Sequence, residues 1–221
     1  MSSLKKLRFN KQRGLSLIEL MVAILISAIL LLGVVELFLN TFRTDRTHTE
    51  LSRVQESGRI AMELISREVR RAGYQGCISS SIRTTAGAIQ YPDDAISGPT
   101  TTSFTVNYAR ETGAGSFPNR NCDNQVLHPF QATFSNCGAN LCINTTDTGG
   151  NQTLTNDTQI ASIEYGVLKN NRINWVSSDA MATSDWPNVH KLRIALVVSA
   201  PNDDGFLPRR FTSVIELRNR L

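Results

Sequence analysis

From Leu20 to Val35 the chain runs sixteen residues without a charge, and the apolar stretch reaches back to Leu15 with one carboxylate, Glu19, inside it. A stretch of this length crosses a bilayer as a helix. An ionisable group there costs roughly 2.5–3.5 kcal/mol on insertion scales, which makes Glu19 a candidate functional residue. Beyond Glu36 the pattern becomes amphipathic. Leu51, Val54, Gly58, Ala61, Ile65, Val69 and Ala72 recur at spacings of three and four, and Ile60 and Leu64 widen the stripe. Glu63, Arg67, Glu68, Arg70 and Arg71 take the polar side. No proline precedes Pro92, so residues 15–73 read as one helix, apolar over 15–39 and amphipathic over 40–73, with Gly73 as its C-terminal cap. At about 1.5 Å per residue it spans roughly 87 Å, and Gly33 is its weakest point. Read alone, the second stripe also fits a coiled coil, but the small Gly58 and Ala61 suit close packing on a sheet.

After Gly73 the composition turns to Ser, Thr, Asn and Gly. Tyr74 to Asp157 reads as loops with a few short strands, among them Ser103–Tyr108 with its alternating apolar face. The next region is plainer. Ala161, Ile163, Tyr165 and Val167 alternate, Lys169-Asn170-Asn171 forms a turn, and Arg172–Val176 returns as a second strand. Leu192, Ile194, Leu196 and Val198 alternate again, and Phe211–Leu217 is a last strand. Helix first and strands after predict an α+β protein: a long N-terminal α-helix whose amphipathic half packs on an antiparallel β-sheet domain covering residues 74–221.

The residues before the apolar run change the picture. Lys5, Lys6, Arg8, Lys11 and Arg13 form a basic leader with no acid, which stays on the cytoplasmic side by the positive-inside rule. A secretory signal would end in a small-residue cleavage site after its apolar region. Here the small residue, Gly14, stands before that region, and Gly33 is followed by Val34, Val35 and Glu36 with no such site. The segment Arg13-Gly14-Leu15-Ser16-Leu17-Ile18-Glu19 resembles the leader of type IV prepilins and pseudopilins. The resemblance implies that prepilin peptidase removes residues 1–14 by cutting after Gly14, and that Leu15 becomes an N-methylated first residue, where the family more often has Phe. It further implies that Glu19 neutralises the new amine of a neighbouring subunit during assembly. The rival reading is a plain signal anchor.

A narrower resemblance lies in Leu51–Arg59, in Glu68–Cys77, in the strand Lys191–Val198 and in the ending Leu217–Arg220, which are similar to the PilW family of minor pilins. The similarity covers the first and last thirds of the chain. It implies a type IV pilin-like fold and a role in priming pilus assembly with other minor pilins, the major pilin, a PilY-type tip adhesin and the inner-membrane assembly platform. The J-type pseudopilins of type II secretion share the architecture and are the nearest rival; a DNA-uptake or adhesion pilin is the third reading. The location implied is the inner membrane, with a single pass and a periplasmic C-terminal domain, and then the pilus, at its tip.

Charge and cysteine usage fit an exported domain. The chain carries 23 Lys+Arg and 19 Asp+Glu; without the five leader bases the balance is 18 against 19, so the basic pI gives no argument for nucleic-acid binding. Cys77, Cys122, Cys137 and Cys142 all lie beyond the apolar segment, where an oxidising compartment favours disulfides. Three connectivities are possible, and the favoured one joins Cys137 to Cys142 and Cys77 to Cys122; a four-cysteine zinc site is the rival. Catalysis finds little support. His48, His128 and His190 are isolated, and no nucleophile elbow or phosphate-binding loop occurs. Asp93-Asp94 and Asp203-Asp204-Gly205 lack the spaced oxygens of a calcium loop, and Trp175 and Trp186 read as core or sheet-face residues. No enzyme activity, cofactor, metal or nucleic-acid partner is expected.

Overall fold

The structure, a computed structural model, describes residues 14, 16–76, 95–112, 121–200 and 207–218. The two stretches of helical periodicity form one element, α1 (Leu17–Arg71). The chain divides into two compact units, Met1–Thr49 and Glu50–Leu221. In the first, every described residue is exposed, including Leu17, Leu25, Leu32 and Phe38. This part of α1 has the length and apolarity to cross a membrane.

The second unit contains the rest of α1 and nine strands. β1 (Ile96–Thr100), β2 (Ser103–Arg110), β3 (His128–Cys137), β4 (Asn140–Thr145) and β5 (Asn151–Thr155) form one antiparallel sheet in that order. β6 (Thr158–Lys169), β7 (Arg172–Ser177), β8 (Val189–Val198) and β9 (Arg209–Glu216) form another, in the order β7-β6-β8-β9. These last four are the strands that the alternation predicts. The β6–β7 turn places Asn170 and Asn171 at φ 52° and 61°, the left-handed pair that a two-residue hairpin of matching twist requires.

The middle of the chain departs from expectation. Where loops with a few short strands were expected, a five-stranded sheet stands, because Phe130, Ala132 and Phe134 alternate inward while Gln131, Thr133 and Ser135 keep the outer face polar. The two sheets share one core with α1. Asn136 on β3 joins them: its side-chain amide donates to the Ile160 carbonyl at 3.0 Å, and its side-chain oxygen accepts from the Ile160 N–H at 2.7 Å. Nearby, the Asp157 N–H donates to the Asn140 side chain and Gln159 donates to the Gly138 carbonyl.

Helix α1 meets both sheets. Val54, Gly58, Ala61, Ile65, Val69 and Ala72 are buried, as the stripe predicts. Each large aliphatic side chain removed from water here contributes roughly 1.5–3 kcal/mol. Gly58 lies under the ring of Phe211 on β9, so closely that a Cβ there would stand 2.5 Å from the ring. Ile60, expected to widen the stripe, is instead exposed, because it lies on the flank away from the buried line. After Arg71 the chain turns through Gly73 at φ 78°, where the absence of a Cβ makes the left-handed cap free of strain. The Gly73 N–H then donates to the Asn107 carbonyl, and the Ala109 N–H donates to the Tyr74 carbonyl, which ties the end of the helix to β2.

Candidate functional site

The residues singled out by sequence fall into three places. Gly14 is exposed and precedes α1; Leu15 lies outside the described residues. The first helical backbone bond here runs from the Leu20 N–H to the Ser16 carbonyl at 3.2 Å. Glu19 sits in the first turn of α1 and is exposed. A carboxylate at that position lies at the positive end of the helix dipole.

The second place is the β3–β4 hairpin, where Cys137 and Cys142 are disulfide-bonded. Ser135 pairs with Cys142 and Cys137 with Asn140, so the bond crosses the hairpin diagonally between ladder positions two apart. The same hairpin carries Asn136, Gly138 and Asn140, whose contacts with β6 join the sheets. Cys122 is disulfide-bonded as well. The expected pairing of Cys77 with Cys122 lies outside the described residues. Among the described residues no group of three or more His, Cys, Asp or Glu side chains gathers around a metal position.

The third place was missed by sequence reasoning. Glu68, placed by its pattern on the polar side of the helix, is buried, and it accepts a 2.5 Å hydrogen bond from the Tyr108 hydroxyl of β2. Arg67 and Arg71 reach its other oxygen at 3.4 and 3.8 Å. Arg71 also lies over the Tyr108 ring, whose other neighbour is Phe130. Burial, and then the bond to Glu68, push the Tyr108 phenol pKa well above its ordinary value. A phenol that keeps its proton is thus held against the Glu68 carboxyl at the helix–sheet junction. The arrangement is a fastening: Glu68 spends its acceptor capacity on donors of its own chain.

Elsewhere, polar groups do structural work. Tyr165 is fully buried against Trp186, and a Cβ on Gly98 would overlap its hydroxyl. The Asp185 carboxyl is held below its usual range chiefly by the Lys169 ammonium, 2.7 Å away. Trp175 lies on the sheet face with the Arg193 guanidinium 4.0 Å from its ring centre. A groove of about 680 Å³ runs between Ser52–Ile60 of α1 and the Leu154–Asp157 and Val198–Ser199 segments. Its wall presents hydroxyls, Arg53, Glu56 and Asp157, with no histidine or cysteine.

The family profile of the prokaryotic N-terminal methylation motif matches residues 9–35, the end of the leader and most of the apolar run. Among solved structures the chain is similar to a type IV-like pilin from Thermus thermophilus, with 12% identity over 76% of this chain and 97% of that one, at a TM-score of 0.46. No curated protein matches the chain.

Proposed function

We propose, from the N-terminal methylation motif matched over residues 9–35, that this chain is a minor pilin of the PilW type. In this reading it is made as a prepilin in the inner membrane, with its leader cytoplasmic and residues 74–221 periplasmic. Prepilin peptidase cuts after Gly14 and Leu15 is N-methylated. The mature subunit then joins other minor pilins and a PilY-type tip adhesin to prime assembly of the major pilin on the inner-membrane platform. The observation that carries the reading is the order of parts along one chain: basic leader, Gly14, Glu19, then the exposed apolar segment of α1 running on into a helix that packs on sheets.

Glu19 is assigned to assembly. One helical turn separates it from Leu15, and cleavage would create at Leu15 the cationic amine that a carboxylate in lipid requires. The Cys77–Cys122 pairing belongs to the same reading, as a tie between the end of the helix and the loop before β3.

The test is made in a host with active prepilin peptidase. Mass spectrometry of the mature protein is expected to show loss of residues 1–14 and one methyl group on Leu15; a retained leader overturns the processing claim. Co-purification of the full-length chain with minor pilins and the tip adhesin supports the tip role. Co-purification with secretion pseudopilins instead would replace it with the J-type reading.

A further inference from the structure

The two sheets leave four edge strands among the described residues, and three of them carry a device that blocks further pairing. β1 holds Pro99, and its Gly98 and Thr100 carbonyls share the Ser178 hydroxyl. β7 begins with Arg172, and β9 carries Arg209, Arg210 and Glu216. β5, Asn151-Gln152-Thr153-Leu154-Thr155, has neither a charge nor a proline. Its first three residues are exposed and keep a regular ladder with Asn144, Ile143 and Cys142; the register shifts only at Leu154. On such a strand the backbone groups of alternate residues point away from the one neighbour and stay open to another strand.

The groove described above adjoins this edge. Leu154 and Thr155 stand on one wall and Ser52–Ile60 of α1 on the other. Ile60, off the buried stripe, presents an aliphatic side chain there that is 37% exposed. The Thr155 hydroxyl is shut from solvent and has no hydrogen-bond partner among the described residues. Glu56 is held at both oxygens by Arg59, at 2.7 and 2.9 Å, so its charge is spent on its own helix. At about 3.3 Å per residue and about 4.8 Å from its neighbour, one extended segment fits such a groove and a folded domain does not.

We infer that β5 and this groove receive one extended segment of a partner protein, added to β5 as a sixth strand of the first sheet. Ladder geometry sets the chemistry of that segment. Side chains on one face lie beside Asn151 and Thr153, and those on the other turn with Gln152 toward the groove and Ile60. The donor therefore alternates Thr, Ser or Asn with Val, Ile or Leu. It carries no charge, because an ionised group against this neutral edge would lose water without gaining a partner. Its backbone also supplies the partner that the Thr155 hydroxyl lacks. The inference uses neither the methylation motif nor the tip-complex role.

The experiment uses the full-length chain in lipid nanodiscs. The probes are short peptides that alternate Thr with Val, Ile or Leu, each carried at the end of a soluble monomeric carrier protein. Hydrogen exchange is read by mass spectrometry at Asn151–Thr155. At least one probe is expected to slow exchange there several-fold while Arg209–Glu216 stays unchanged. The same probe with prolines at alternate positions should have no effect, and Thr153→Lys or Ile60→Asp in the chain should weaken its binding several-fold. Unchanged thermal midpoints of the two variants separate this loss from unfolding. If no probe slows exchange at β5 at millimolar concentration, strand addition is overturned. Binding that leaves exchange at β5 unchanged overturns the site, and equal binding of probes alternating Thr with Glu or Lys overturns the uncharged donor. A retained leader, or failure of the unvaried chain to co-purify with minor pilins, would bear on the pilin reading alone.

Discussion

The Tyr108 hydroxyl on β2 donates to a Glu68 oxygen of α1 at 2.5 Å, and this bond crosses the junction between helix and first sheet. Replacing Tyr108 by Phe leaves a buried carboxylate with only the two longer arginine contacts. The expected loss is about 1–3 kcal/mol of domain stability, read from denaturant unfolding of the 50–221 unit in its full-length context. Glu68→Gln, which keeps an acceptor, should cost less than Glu68→Leu.

Burial of Tyr108 and Tyr165, reinforced at Tyr108 by the bond to Glu68, gives the domain an alkaline limit. A tyrosine whose pKa is raised on folding holds its proton more tightly in the folded state. The associated stability is complete below the unfolded value of about 10 and falls as pH rises beyond it toward the folded value. Thermal unfolding between about pH 9 and pH 11 should therefore show a falling midpoint, and Tyr108→Phe should flatten part of that fall. An unchanged slope in the variant would place the sensitivity at Tyr165 or elsewhere.

At the acid end the Lys169–Asp185 pair acts with opposite sign. Asp185 is held below its ordinary value, so its contribution is present above about pH 3.9 and is lost as pH falls through the folded value. Lys169→Met should make the domain less sensitive to pH in the acid range while lowering its stability at neutrality. An acid titration of unfolding for both proteins checks the sign.

Gly58 sets the distance between α1 and β9. Gly58→Leu would drive a side chain into the Phe211 ring and is expected to cost about 1–3 kcal/mol. Phe211→Ala in the same chain should recover part of that loss. A double-mutant cycle with no coupling would mean that the helix shifts as a body to relieve the clash.

The Cys137–Cys142 bond closes a six-residue loop, for which chain entropy gives about 2 kcal/mol. The paired Cys137→Ser and Cys142→Ser variant should unfold at lower denaturant by that amount while keeping the β6–β9 sheet. Circular dichroism and denaturant midpoints measure the two effects separately.

What the sequence made legible was periodic and local. Val54 to Ala72 repeat at helical spacing, Gly73 ends the helix, and Asn170-Asn171 turns β6 into β7; each signal is carried by neighbours along the chain. The apolar residues of β6, β8 and β9 alternate strongly enough to read unaided. The first sheet was harder, because β3 to β5 are built largely of Thr, Asn, Gln and Ser, residues that also compose loops. A period-two signal was present in Phe130, Ala132 and Phe134, diluted by its polar surroundings. Glu68 was only half legible from local pattern, since it stands at stripe spacing between Ile65 and Ala72. Its charge set it on the polar side although Leu64, Ile65 and Ala72, one turn away on either side, are apolar; its partner lies forty residues away, and only the tertiary fold supplies it.

Asn136 gives the domain a modular grammar. One amide side chain stands in for a peptide unit, supplying to Ile160 both the donor and the acceptor that a neighbouring strand would have offered. The β1–β5 sheet is thus spliced to the β6–β9 sheet through a side chain instead of a continuous ladder. Loops and strand faces on the far side of that splice can be rewritten without changing the register of the sheet on which Gly58 rests. Asn136→Asp would remove the donor half of the splice alone, while the Asp157–Asn140 and Gln159–Gly138 bonds and the shared core still hold the sheets together.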